Sequence, residues 1–184
     1  MQLFYKILKL QEQMVHLRKK YFFEHVLFSG QWWLLVIITL VLWTAWILLV
    51  DRTRLKNIMI VGLITLGFAI VLDDTGLSLH LWDYPYKLFF FATRLDPVDL
   101  VILPFALMMI YQYGRSWISY TVMVFLFALF AALVAEPIFV KLDMYTMIHW
   151  KHIYSVPIYF GIGLVARAAT DFITWIERKA NEKA

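Results

Sequence analysis

The sequence predicts an all-α fold: a polytopic membrane protein of five transmembrane helices plus an N-terminal amphipathic interfacial helix. Three observations predict it. Of 184 residues, 62% are hydrophobic and 16% charged, against about 45–50% and about 25% in soluble domains. Mean hydropathy is +0.72, an excess that a globule of this size cannot hide from water. The apolar residues are gathered into long runs, and none alternates with the period of a barrel strand. A soluble enzyme, a disordered chain and a disulfide-rich secreted module are thereby excluded. With no cysteine there is neither a disulfide framework nor thiolate chemistry. The formal charge of +4 is ordinary for a bacterial-type membrane protein whose Lys and Arg hold its loops, and implies no nucleic-acid partner.

Residues 1–30 lack the apolar run and small-residue cleavage site of a signal peptide. Leu3, Ile7, Leu10, Met14, Leu17 and Tyr21 recur at spacings of four and three, while Lys6, Lys9, Gln13, Arg18, Lys19 and Lys20 fill the other faces. That pattern predicts one amphipathic helix lying among lipid headgroups. The alternative is packing of the same stripe on a membrane partner or a second copy. A transmembrane domain is expected over 31–176, and a charged tail over 177–184.

The five expected spans are Trp32 to Val50, Asn57 to Thr75, Val98 to Tyr113, Trp117 to Val140 and Ile153 to Ile176. A span needs about 20 residues to cross about 30 Å, so the third is short and must tilt, borrow from its loop or meet a thinned bilayer. Five crossings put the termini on opposite sides. The side of the N-terminal helix and the loops 76–97 and 141–152 carries nine Lys/Arg, and the other side eight, including Lys183. On the second side Arg52, Arg54 and Lys56 crowd one short loop, which favours a cytoplasmic C-terminus and an outside N-terminus in a bacterial plasma membrane. The basic N-terminal helix pulls the other way.

Ionisable groups inside a span are near its ends, paired or functional. Asp73 and Asp74 close the second span, Asp99 opens the third, Glu136 lies late in the fourth, and His149, His152 and Tyr154 lead into the fifth. Alternating direction places all of them at one membrane face. The loops joining these ends carry Trp82, Tyr84, Tyr86, Tyr145 and Trp150, and are too apolar for aqueous linkers. They are expected to be re-entrant or interfacial, roofing a pocket with acids below. Asp73, Asp99 and Glu136 are the catalytic candidates. The other aromatic and His positions, with Asp74, are candidate pocket residues. The competing reading is that the acids cap helix ends while the rings anchor at headgroup level. Asp73 precedes Trp82 by nine positions and Glu136 precedes Tyr145 by nine, a weak repeat of two helix–loop–helix units in parallel orientation. Arg167 and Asp171 are four apart and predict a structural ion pair, with Gly161 and Gly163 permitting close helix approach. No phosphate-cradling Gly loop, zincin motif or nucleophile elbow occurs. His149 and His152 alone are too few for a metal, and no cofactor is implied.

The runs LDDTGLSLHLWDYPYKL, DPVDLVILP and AEPIF…YTMIHWKHIYSVPIY resemble an uncharacterised family of small five-helix membrane proteins of spore-forming Gram-positive bacteria. The resemblance covers about residues 31–175 and implies a multi-pass plasma-membrane protein without implying a reaction. A more distant likeness is to membrane-embedded lycopene cyclase small subunits, which carry an Asp, a Trp-rich loop and a Pro–acid–acid start to the next span. Asp73, Trp82 and Pro97-Val98-Asp99 are similar in order, but Val98 stands where that pattern has an acid. This is likeness of fold, which does not carry function.

Three functions remain in view. The first is an accessory, sensor or lipid-binding membrane component. The second is a membrane enzyme using carboxyl acid/base groups on an isoprenoid or other lipid, with ring faces stabilising a cation. The third is a small proton-coupled transporter built around Glu136. The expected partners are the bilayer, a lipophilic small molecule, and either a second copy or a membrane partner protein.

Overall fold

The structure, a computed structural model, describes residues 1–182. Lys183, and with it the end of the expected 177–184 tail, lies outside the described residues. The fold is all-α apart from two short paired strands. Helix α1 (Gln2–Tyr21) passes into a π-helical turn, Phe22–Val26. Helix α2 (Gly30–Leu49) is capped by Ser29, whose side chain accepts from the Trp32 amide at 3.2 Å. Helix α3 (Leu55–Ser78) follows a short 3-10 turn. Strand β1 (Trp82–Asp83) lies in the long loop before a π-helical segment, Val98–Ile102, which continues as α4 (Leu103–Tyr113). Helix α5 (Trp117–Phe130) passes through a second π-helical segment, Ala131–Ala135, into α6 (Glu136–Lys141). Strand β2 (Thr146–Met147) precedes α7 (His152–Asn181).

Among the described residues four helices are long and apolar enough to cross a bilayer: Gly30–Leu49, Arg52–Ser78, Trp117–Lys141 and His152–Asn181. The residues of the third expected span form a shorter apolar helix, Val98–Tyr113, below that length, so the described residues show four such helices where five were expected. The N-terminal segment is not one helix to residue 30. It ends its α-helical part at Tyr21 and turns at Phe28, where φ is 63°. The last helix runs on to Asn181, so much of the expected tail is helical.

Helices α3, α4, α5 and α7 form the bundle. Its core is Ile58 and Val61 of α3, Leu103 and Leu107 of α4, Tyr120 and Val124 of α5, and Ile162 and Ala166 of α7. Gly163 lets α7 meet α5: a Cβ there would lie 2.4 Å from Val124 Cγ1. Gly161 has nothing within 4 Å of its own Cβ position, so only one of the two glycines serves packing. Helix α2 stands outside the bundle with Leu35 as its only buried residue. Gln112 ties its end down, donating to the Leu49 carbonyl at 2.9 Å and accepting from the Asp51 amide at 2.8 Å.

The π-helical segments Val98–Ile102 and Ala131–Ala135 each stop two residues short of a proline, Ile102 before Pro104 and Ala135 before Pro137. Proline lacks the amide that would bond back four residues, and its ring crowds that carbonyl. One wide turn ahead of it absorbs the mismatch. Each widened turn brings an acid inward: Asp99 within the first, Glu136 directly after the second, both buried.

Candidate functional site

At the end of the bundle away from the α4–α5 turn, the two aromatic loops join. Strands β1 and β2 pair antiparallel, Trp82 opposite Met147 and Asp83 opposite Thr146. The amides of Ile148 and His149 both donate to the Leu81 carbonyl at 2.9 Å. The loops thus form one roof, and beneath it lies a cavity of about 290 Å³. Its walls are apolar and aromatic, with Leu103, Phe127, Ile162, Trp82, Tyr145 and Trp150 among them. Asp73, Asp99 and Glu136 all line it. Leu72, Thr75 and Phe130 also line it while exposed on the outer surface of the bundle. The cavity therefore opens sideways.

Asp73 is the latch between bundle and roof. Its Oδ1 accepts from Trp82 Nε1 at 2.8 Å and from the Tyr84 hydroxyl at 2.6 Å. The nine-residue step from Asp73 carries Trp82 over a helix end and back onto that carboxyl. Its other oxygen and Asp99 Oδ2 are buried without a hydrogen-bond partner. Both carboxyls are buried on the wall of the same cavity, where Asp73 and Asp99 form an acid dyad. Tyr84 in the roof is half-buried, and desolvation, reinforced by Asp73 and Asp99, holds its phenol well above the ordinary range. It stays a neutral donor at any physiological pH.

Glu136 forms a second centre. Its Oε2 meets His152 Nδ1 at 2.8 Å, and its Oε1 accepts from the Tyr159 hydroxyl at 2.9 Å. His152, Ser155 and Tyr159 fall at i, i+3 and i+7 on α7, which is one helix face. Ser155 in turn accepts from Trp150 Nε1 at 3.0 Å, and Trp150 packs edge-on against Trp82 at 4.9 Å. The roof is therefore held by Asp73 of α3 and by Ser155 of α7.

Other expected positions fall elsewhere. Asp74 turns away from the cavity and pairs with Arg94, Nη2 to Oδ2 at 2.7 Å. The next residue along a helix faces about 100° round, so adjacent acids cannot both point inward. Tyr86 packs with the second core group around Leu35, Leu95 and Met144. His149 and Tyr154 are exposed and do not line the cavity. Tyr145 lines it, but its ring stacks on Tyr84 at 5.4 Å rather than bonding to Glu136. The nine-residue spacing thus has different uses in its two copies, and the two loops it links pair antiparallel. Arg167 and Asp171 approach at 3.7 Å, but the guanidinium is spent mainly on the backbone carbonyls of Gly114, Arg115 and Ser116 at 2.8–3.1 Å. Among the described residues no group of three or more His, Cys, Asp or Glu is placed to hold a metal ion.

Gly76 sets the depth of the roof. A Cβ there would sit 2.0 Å from Trp82 Cζ2 and 2.2 Å from Cη2, so the indole lies directly on the glycine. Gly76→Ala is expected to push Trp82 off Asp73 and to cost about 1–3 kcal/mol, as overpacking does. Thermal unfolding in detergent and faster amide exchange over 79–97 and 142–151 would measure it. Unchanged exchange in both loops would show that the indole is not the fastening.

No protein-family model, curated protein or solved structure matches this chain.

Proposed function

We propose that this chain is a five-span plasma-membrane protein that takes a lipophilic small molecule from the bilayer into the acid-lined cavity, serving as a lipid-binding membrane component. The observation that carries this reading is a cavity with apolar and ring walls, a sideways mouth at Leu72, Thr75 and Phe130, and three buried acids on its walls. A lipid enters from the side because its chain gains nothing by passing through water. The polar end of the ligand meets the Asp73–Asp99 dyad and Glu136, where buried hydrogen-bonding groups discriminate strongly.

Several features support the membrane arrangement. Helix α4 with its π-helical lead spans roughly 24 Å at 1.5 Å per residue, short of the about 30 Å core, and Asp99 at its start is roofed by loop rather than bathed in hydrocarbon. Helix α1 has no buried residue; Leu3, Ile7, Leu10, Met14 and Leu17 stay exposed, as suits a helix whose apolar face lies in lipid at headgroup depth. The N-terminus is placed outside and the C-terminus in the cytoplasm on the basic Asp51–Lys56 loop.

A second reading has its own observation. The dyad sets two buried carboxyls on a lipophilic cavity with ring faces close by, the groups that acid-initiated chemistry on an isoprenoid or other lipid would use. Extraction of the purified protein separates these possibilities. The wild type is expected to retain a lipophilic species, and Ala131→Trp, which fills the cavity, to reduce its retention about tenfold or more. Trp43→Ala on the outside of α2 should retain it. Binding is refuted if the wild type carries nothing above the level of Ala131→Trp. Enzymatic turnover is indicated instead if deletion cells accumulate one lipid that Asp99→Asn fails to clear.

A further inference from the structure

A second cleft lies on the same end of the molecule, where the end of α1 meets the roof. It measures about 300 Å³ and is lined by Arg18, Tyr21, Asp83, Lys87, Phe90 and Thr146, among others. We propose that this cleft binds a phosphate group, held between Arg18 and Lys87.

The charge inventory points to an anion. The Lys87 side chain is only 12% exposed, and its single ionic partner is Asp83 at 3.5 Å. That same Asp83 oxygen already accepts from the Tyr84 amide at 2.7 Å, so the ammonium has one shared acceptor for three donors. Burial holds Lys87 below its ordinary value, Asp83 works against this, and Arg18 adds like-charge repulsion. Arg18 itself is half-buried in the cleft. Among the described residues it has no ion pair and no side-chain hydrogen bond. Two cations drawn together with one half-exposed carboxylate between them leave the cleft short of negative charge. A third, Lys19, stands over the Phe90 ring at 5.8 Å.

The donor set selects phosphate over a carboxylate. Arg18 offers a planar fork and Lys87 a compact point charge, a combination suited to an anion with three or four acceptor oxygens. Tyr21 and Thr146 add hydroxyls at the rim. Two sources share this chemistry, a phospholipid or polyprenyl phosphate headgroup and free phosphate. Tyr84 lines this cleft and the acid-lined cavity alike, but the inference does not rest on the cavity being used.

The test titrates the full chain in detergent with short-chain phosphatidic acid and, separately, with inorganic phosphate, reading phosphorus resonance shifts. Arg18→Gln and Lys87→Gln are each expected to weaken binding about tenfold or more, while Lys6→Gln, farther up α1, leaves it unchanged. Arg18→Lys and Lys87→Arg should restore much of the affinity, which guards against a loss caused by misfolding. Phosphatidic acid bound without competition from inorganic phosphate identifies a headgroup site. Inorganic phosphate binding with the same residue dependence identifies a free-phosphate site. The proposal is overturned if binding is indifferent to Arg18 and Lys87, or if Lys6→Gln weakens it as much as they do. Ala131→Trp should leave this titration intact, so failure of the cavity reading and failure of this one are seen separately.

Discussion

Asp73→Leu is expected to unlatch the roof and to cost about 3 kcal/mol of stability, while Asp99→Asn keeps the fold. Asp73 Oδ1 takes two side-chain donors, at 2.8 and 2.6 Å, and hydrogen bonds to a charged group contribute about 1.5–3 kcal/mol each. Leucine leaves the Trp82 indole and the Tyr84 hydroxyl without their acceptor inside an apolar wall. Asp73→Asn should cost much less, because its amide oxygen can accept from the same donors and its NH₂ can donate to Asp99. Asp99 differs in kind: no residue donates to its Oδ2, so an asparagine there breaks no hydrogen bond to the roof. Thermal unfolding should therefore rank Asp73→Leu well below Asp73→Asn and Asp99→Asn. If turnover occurs, Asp99→Asn should slow it by about 10²–10⁴-fold, the size of a general-acid contribution. Equal losses of stability at both positions would mean that the dyad only braces the bundle.

The helices were legible because their causes are local. Long apolar runs bounded by Ser29 and Ser116 as N-caps place α2 and α5 to within two residues of the expected starts. Helix α7 extends five residues past Ile176 because its last turns are charged rather than apolar, and hydropathy cannot see a helix that has left hydrocarbon. Helix α1 stops early at Tyr21 because Phe22 and Val26 are buried and the chain must turn before α2. The π-helical segments were not legible as such, since a run containing proline reads equally as a kink, a stop or a widened turn. Yet two of them lie at the site, Asp99 within Val98–Ile102 and Glu136 directly after Ala131–Ala135.

Convergence of Asp73, Asp99 and Glu136 on one cavity agrees with the alternation of helix directions read from the sequence, but which acids pair with what was not legible. Which of Asp73 and Asp74 points inward depends on helix rotation, fixed by the packing of Val61 and Ala69 against neighbouring helices. Arg94, the partner of Asp74, lies 20 residues away across the roof. Tyr159 was missed although a signal existed: His152, Ser155 and Tyr159 form a polar stripe of helical spacing on an otherwise apolar helix. Antiparallel pairing of the two loops leaves no trace in strands of two residues each.

Arg167→Met is expected to cost about 3 kcal/mol, the second large effect, whereas Asp171→Asn should cost under about 1 kcal/mol. The guanidinium side chain is 8% exposed and caps the α4–α5 turn through three carbonyls. It also lies 4.7 Å from the ring centres of both Trp117 and Tyr120. Methionine fills some of the volume but leaves the buried Gly114 carbonyl without a donor and forfeits the cation–ring contacts. The Asp171 contact is long, at 3.7 Å, and its carboxylate is 43% exposed, conditions under which an ion pair contributes little. Arg167→Lys should fall between, since an ammonium keeps the charge but cannot span three carbonyls with a planar fork. The discriminating measurement is amide exchange at 114–120 together with the unfolding midpoint. If Asp171→Asn proved as damaging as Arg167→Met, the ion pair rather than the turn cap would be what Arg167 supplies. Because this turn closes the bundle at the end opposite the cavity, its loss should loosen α4 against α5 without moving Asp73 off Trp82. Retained ligand in a destabilised Arg167→Met protein would show that the two ends of the bundle hold independently.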